Sequence, residues 1–304
     1  MPYFVIWNQE LRSCQGSRGL KEGMDAVKGN VDLFLFMGQS NMAGRGIPDG
    51  KTGEKAPVIL PGAGYEYRAV TAPDRLFLME EPFGKEENRK GGIDDGDKKT
   101  GSLATAFINA CYLCTRIPVV AISASKGGTS ILEWQAGGEF LEDAKERLRS
   151  GKKYLVEQGF CIRHIYMLWC QGETDGDRGL EPEEYRLYFE RMLGEMKETG
   201  MEKCFLIRIG EYNGEEAVNY DKIIKVQTQI PKEHPDVVLV STDFTEMKKR
   251  GGMKDWYHYY QWAYNEAGLK AGMNAGIFVN TSREPVLYDP HYKNIYFSNQ
   301  DAVT

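Results

Sequence analysis

Val31-Asp-Leu-Phe-Leu-Phe-Met-Gly-Gln-Ser-Asn-Met-Ala-Gly-Arg-Gly46 decides how this chain is read. Residues 33–37 are unbroken apolar sequence, the mark of a strand covered on both faces in a parallel sheet. The stretch then turns abruptly to Gly38, Gln39, Ser40 and Asn41, residue types that favour tight backbone turns and helix caps. A buried strand that ends in a serine opening onto a helix places that serine at the carboxyl edge, where open α/β sheets put their sites. A serine that only caps the helix looks the same locally. The rest of the chain has to separate the two.

Working outward, the strand-then-helix pattern recurs. Further strands are predicted at 117–123, 164–170, 203–209 and 237–243. A helix is predicted from a cap at Ser102 to about 115, with Leu103, Ala106, Phe107, Ala110 and Leu113 on one face. Others are predicted at about 139–158, at 182–199 with Pro182 at its start, at about 220–234, and after Asp255-Trp-Tyr-His258 as far as about 271. The alternation predicts a three-layer α/β/α fold with a central five-stranded parallel sheet of the flavodoxin-like kind. Residues 1–304 are expected to form a single domain. Within it, 1–30 read as an irregular lead-in, about 47–100 as a long Gly/Pro/charge-rich loop insertion, and about 281–304 as a tail with a hairpin around Asp289-Pro290.

Composition narrows the function. With 304 residues, 41% of them hydrophobic, the chain can bury a full-sized core. A net charge of −6 argues against non-specific binding to nucleic acid or anionic lipid. No apolar stretch approaches the roughly 20 residues that span a bilayer, so no membrane partner is expected. Met1-Pro-Tyr-Phe-Val-Ile-Trp-Asn-Gln-Glu10 lacks a basic region followed by a long apolar core, and a cytoplasmic location is expected. Cys14, Cys111, Cys114, Cys161, Cys170 and Cys204 are scattered and lie mostly in apolar segments, as packed reduced thiols do. Cys111-x-x-Cys114 falls inside a predicted helix, away from the helix N-terminus that would activate a redox thiol. Asp94, Asp95 and Asp97 lack the closing Glu of a calcium loop and read as solvated, and no histidine has metal-ligand spacing. No metal or cofactor is expected.

The polar groups share one placement. Ser40, Gly127-Gly128 and Gln171-Gly172-Glu173 each follow a predicted strand, and Asp255 and His258 follow the fifth by a loop. All should gather on one edge of the sheet. The chemistry they suit is acyl transfer. A serine hydroxyl needs a base within hydrogen-bond reach, and His258 is the histidine with a carboxylate three residues before it. Asp255 can hold the Nδ1 side of that imidazole and leave Nε2 for Ser40. Gly127, Gly128 and the Gln171 amide can supply N–H donors to a tetrahedral oxyanion. Trp134 and Trp256 are expected near the site. His164, His234 and His291 have no such partner in the sequence. Ser40 is followed two residues on by Met42, which separates this turn from the Gly-x-Ser-x-Gly elbow of α/β-hydrolases.

Four blocks together carry a resemblance: Gly38-Gln-Ser-Asn-Met-Ala-Gly-Arg-Gly46, Gly127-Gly-Thr-Ser-Ile131 with Glu133-Trp134, Trp169-x-Gln-Gly-Glu-Thr-Asp175, and Asp255-x-x-His258. They closely resemble the SGNH hydrolases, above all the branch of acetylxylan esterases of carbohydrate esterase family 6 and sialate O-acetylesterases. The resemblance implies Ser40 as nucleophile, His258 as base and Asp255 as its orienting acid. It implies an oxyanion hole from the Ser40 N–H, a glycine N–H of the Gly127-Gly128 pair, and Gln171 where most SGNH enzymes carry asparagine. Gln39, Asn41, Thr129 and Glu173 fall in the same blocks and, with Trp134 and Trp256, are expected to bind substrate or support the site. The implied activity is that of a serine esterase removing O-acetyl groups from acetylated oligosaccharides of the acetylxylan type. A sialate O-acetylesterase, or another short-chain SGNH esterase or thioesterase, is the alternative. A catalytically inactive carbohydrate-binding protein is a further one, against which the joint presence of Ser40, Asp255 and His258 speaks.

Overall fold

The apolar run forms the central strand β1 (Gly29–Gly38) in a computed structural model that describes residues 29–214 and 218–296. The expected lead-in over 1–28, with Cys14, and the end of the tail over 297–304 lie outside the described residues. In chain order the next elements are α1 (Ser40–Ala43), β2 (Gly64–Tyr67), β3 (Leu76–Leu78), α2 (Ala104–Thr115), β4 (Val119–Ser125), α3 (Glu139–Glu157) and β5 (Phe160–Cys170). They are followed by α4 (Glu173–Asp177), α5 (Pro182–Glu198), β6 (Lys203–Ile207), α6 (Asp221–Glu233), β7 (Val237–Ser241), α7 (Phe244–Met247), α8 (Gln261–Thr281), β8 (Leu287–Asp289) and β9 (Asn294–Tyr296).

The sheet has the order β3-β2-β4-β1-β5-β6-β7. Its five long strands, β4-β1-β5-β6-β7, are parallel and in the doubly wound flavodoxin-like order. The chain leaves β1 in one direction to β4 and returns past it to β5, so the switch point lies at the carboxyl end of β1. There Gly38 stands level with Ser125 of β4 and Cys170 of β5.

Alternation along β1 explains why its sequence is apolar throughout. Leu33, Leu35 and Met37 join a core with Leu148 of α3, Phe189 of α5 and Ile223 of α6. Phe34 and Phe36 point the other way, into a core with Phe107 of α2 and Ala263 and Ala267 of α8.

The sheet has seven strands, not five. β2 and β3 come from the expected insertion loop, and they were hard to see because they are only four and three residues long and interrupted by turns. β2 runs parallel to β4, with Gly64 level with Val119 and Glu66 level with Ala121, and β3 pairs antiparallel on its outside. The rest of the insertion is anchored through buried charge. Arg147 of α3, fully buried, donates to Ser123 O at 2.8 Å and Ile93 O at 3.1 Å and pairs with Asp143 at 2.9 Å. Asp95, expected to be solvated, is buried against Arg45 at 2.5 Å.

Two helix expectations need correction. α8 extends to Thr281, ten residues beyond the expected end at about 271. Leu113, expected on the buried face of α2, is 50% exposed. Both follow from how α8 lies on α2. A Cβ on Gly268 would come 2.4 Å from Leu103 O, one on Gly272 2.2 Å from Phe107 O, and one on Gly276 2.6 Å from Cys114 Cβ. The contact therefore follows residues four apart and drifts off Leu113 by the end of α2. Cys111 is sealed under it, and burial pushes its thiol up, the opposite of a redox cysteine.

β8 and β9 form the hairpin expected in the tail. It is pinned by a buried two-pronged pair in which Arg208 Nη1 and Nη2 meet Asp289 at 2.5 and 2.7 Å. No helix among the described residues is long and apolar enough to cross a membrane.

Candidate active site

At the switch point the backbone is under steric control. Gly38 has φ +143°, and a Cβ there would sit 2.1 Å from Cys170 O, so only glycine lets β1 end against β5. Gln39 N–H donates to Cys170 O at 3.0 Å, and Ser40 opens the single turn of α1. Gly127 lies directly behind the serine, where a Cβ would come 3.3 Å from Ser40 Cβ and 2.5 Å from Arg45 Nη2. Its N–H is taken by Asp95 Oδ2 at 3.1 Å. Gly128, at φ +75°, faces open space.

The histidine arrives on the loop before α8. Asp255 Oδ1 accepts the N–H groups of Tyr257 and His258, both at 2.8 Å, which closes a tight turn. Asp255 Oδ2 is 3.0 Å from His258 Nδ1. Burial pushes the Asp255 carboxyl up, but the His258 ring and the two backbone N–H groups outweigh it and hold the group well below the usual carboxylate range. A carboxylate can only accept, so Nδ1 carries the proton in that contact.

Asn41 ties this loop to the serine turn. Its Nδ2 donates to Glu173 Oε1 at 2.5 Å and to Tyr257 O at 3.1 Å, and Tyr264 OH donates to its Oδ1 at 2.6 Å. Fully buried, it fixes the residue before His258 and does not face the site.

Ser40, His258, Gln39, Gly127, Gly128 and Glu173 meet around one open cavity of about 380 Å³. Arg45, Lys98, Thr174, Asp177 and Tyr257 complete its wall, and sequence reasoning singled out none of them. Arg45 stood inside the first block with no role read for it, and Lys98 comes from the insertion, where nothing periodic marked it. Glu173 is buried, with Oε1 held by Asn41 and Oε2 without a hydrogen bond. Burial raises its carboxyl above the ordinary value, partly offset by Asn41.

Three expected site residues stand behind the wall instead. Gln171 is fully buried; its Nε2 donates to Thr129 O at 2.9 Å and to the Asp175 carboxylate, and Tyr185 OH reaches its Oε1 at 3.2 Å. With its N–H groups turned to those acceptors, Gln171 does not present a donor to the cavity. Thr129 donates to Lys126 O at 2.8 Å and accepts from Trp134 Nε1 at 3.0 Å, bracing the glycine turn. Trp134 is fully buried edge-on against Trp169 and offers no face to a sugar. Trp256, by contrast, is 60% exposed, with its ring 6.4 Å from that of Tyr257 on the cavity wall. Among the described residues no three His, Cys, Asp or Glu side chains are grouped to hold a metal ion.

The family profile described as "Carbohydrate esterase, sialic acid-specific acetylesterase" matches residues 30–271. A comparison with curated proteins finds no match. Among solved structures, a protein from Arabidopsis thaliana superposes with a TM-score of 0.58 at 22% identity, over 81% of this chain and 97% of that one. NanS superposes with a TM-score of 0.54 at 15% identity, over 86% of this chain and 100% of its own. At these identities the two likenesses bear on the fold alone.

Proposed function

Because this chain belongs to the carbohydrate esterase, sialic acid-specific acetylesterase family and is a carboxylic ester hydrolase of the carbohydrate-acetylesterase class, we propose that it removes O-acetyl groups from sugars through Ser40, His258 and Asp255. The observation that carries this reading is the Asp255-bound His258 sharing one cavity with Ser40 at the carboxyl ends of the strands.

Ser40 Oγ adds to the acetyl carbonyl as His258 Nε2 takes its proton. Asp255, ionised and bound to Nδ1, stabilises the imidazolium that forms. The oxyanion is met by the N–H of Ser40 and of Gly128, since the Gly127 N–H is engaged by Asp95. His258 then protonates the departing sugar oxygen, leaving acetyl-Ser40. Water, deprotonated by the same imidazole, releases acetate and restores the serine.

The substrate is an acetylated carbohydrate. Arg45 and Lys98 on the cavity wall suit an O-acetylated sialic acid as readily as a neutral acetylated xylo-oligosaccharide. Acetate release from the two, measured side by side, distinguishes them. Hydrolysis of p-nitrophenyl acetate should exceed that of the octanoate, and Ser40→Ala should lower turnover by several orders of magnitude with the fold intact. A Ser40→Ala enzyme keeping more than about a tenth of wild-type activity would remove Ser40 from the mechanism.

A further inference from the structure

A chain of aromatic rings runs along one side of the cavity. At its inner end Tyr220 OH donates to Asp177 Oδ1 at 2.8 Å, and Asp177 is on the cavity wall. The Tyr220 ring lies 6.1 Å from that of Tyr212, which in turn lies 5.4 Å from Tyr257 and 6.5 Å from Trp256. Tyr212 and Tyr220 are buried and Tyr257 is half-buried, so the chain rises out of the protein and ends on Trp256, which is 60% exposed. One exposed apolar side chain needs no explanation by itself. This one is distinguished by where it is held.

Trp256 belongs to the turn that delivers His258. Asp255 Oδ1 closes that turn through the N–H groups of Tyr257 and His258. The carbonyls along it are held as well: Asn213 Nδ2 donates to Asp255 O at 3.1 Å, Asn213 N–H to Trp256 O at 3.0 Å, and Asn41 Nδ2 to Tyr257 O at 3.1 Å. Trp256 Cα is two residues from that of His258, hence at most about 7.6 Å away. The same fixed turn therefore carries the base and an exposed flat ring, a span comparable to one sugar residue.

The surroundings say what the ring takes. The nearby wall is polar, with Arg45, Lys98, Thr174 and Asp177. A long acyl chain needs a continuous apolar channel, and a single indole beside those groups does not supply one. A pyranose has a face of C–H groups that can cover an indole and a rim of hydroxyls for the polar groups around it.

We propose that Trp256 is the platform of a second sugar subsite. It stacks on the ring next to the one whose acetyl group meets Ser40, and the enzyme thereby prefers acetylated oligosaccharides to acetylated monosaccharides. The inference rests on the esterase reading above and adds the length of the substrate to it.

The test compares acetate release from O-acetylated xylose with that from O-acetylated xylotriose, and from O-acetylated sialic acid with that from its glycoside on lactose. In the series that wild type turns over, kcat/KM should favour the longer substrate by about tenfold, the effect of covering one face of an indole. Trp256→Ala should bring that ratio close to one by raising KM for the longer substrate, with kcat and the monosaccharide rates little changed. A merely structural Trp256 predicts equal losses on both lengths. Such losses, or a ratio within about twofold of wild type, overturn the proposal. Should Trp256→Ala fail to melt like wild type, Trp256→Leu takes its place with the same outcomes. A fall in p-nitrophenyl octanoate turnover with the sugar ratio unchanged would put an acyl chain on Trp256 and also overturns it. Wild type and Ser40→Ala are measured alongside on p-nitrophenyl acetate. An inactive wild type overturns the esterase reading and this inference with it. An active, Ser40-dependent wild type that turns over no sugar ester, or both lengths equally, overturns this inference alone.

Discussion

Glu173 brings a buried carboxyl to the wall of the site with only one of its oxygens bonded. Because burial raises its pKa above the ordinary 4.5, the folded state holds this proton more tightly than the unfolded chain does. The linkage has a definite sign: the contribution to stability is fully present below 4.5 and is lost as pH rises through the raised value. Urea midpoints of Glu173→Gln against pH should lack that part of the wild-type slope while retaining the bond to Asn41 through the amide oxygen. An identical pH dependence in the two proteins would mean that the fold leaves the Glu173 carboxyl at its ordinary value. At this scale the sequence was most readable where chemistry requires a particular side chain. Ser40, Asp255 and His258 each had a distinctive partner or position. Gln171 was harder to place, because an amide at a strand end looks the same in sequence whether its N–H groups face the site or, as here, Thr129 O and Asp175. Trp134 failed for a related reason: an indole beside a strand end packs inward as readily as it faces a sugar.

Two glycine-to-alanine changes show what the helices demand. Gly194 lies exposed within α5 with nothing within 4 Å of its would-be Cβ, so Gly194→Ala should stabilise the protein by about 0.5–1 kcal/mol. Gly272 in α8 meets Phe107 O at 2.2 Å from that same point, so Gly272→Ala should lose the propensity gain to overpacking of about 1–3 kcal/mol. Chemical denaturation of the pair checks both signs, and a stabilised Gly272→Ala would mean that α8 can lift from α2 freely. The same close approach explains two misreadings. Glycines at 268, 272 and 276 look like poor helix formers by local propensity, yet they extend α8 to Thr281 because the absence of side chains admits the neighbouring backbone. Leu113 fits the apolar period of an isolated helix but not the contact line that α8 imposes.

Across the whole molecule, the parallel strands and their order were legible because each strand is apolar along its length and each is followed by a helix. β2 and β3 were not, since strands of three and four residues carry no period and exist only by pairing on β4. The C-terminal hairpin is joined to the sheet through Arg208 and Asp289, both buried. Asp289→Ala leaves the guanidinium uncompensated and should cost about 3–5 kcal/mol, whereas replacing both partners by apolar side chains should cost much less. Thermal melts of the single and double variants test this, and a mild single variant would show that water reaches Arg208. The β2–β3 pair has a consequence of a different kind. Without it, the flank of β4 at Val119–Ala121 would offer unpaired N–H and C=O groups on an apolar strand, a template to which another chain could add. As the chain is built, that edge is covered and the sheet ends in three residues of antiparallel strand, too short to recruit a neighbour. The insertion that supplies Lys98 to the cavity also guards the protein against aggregation.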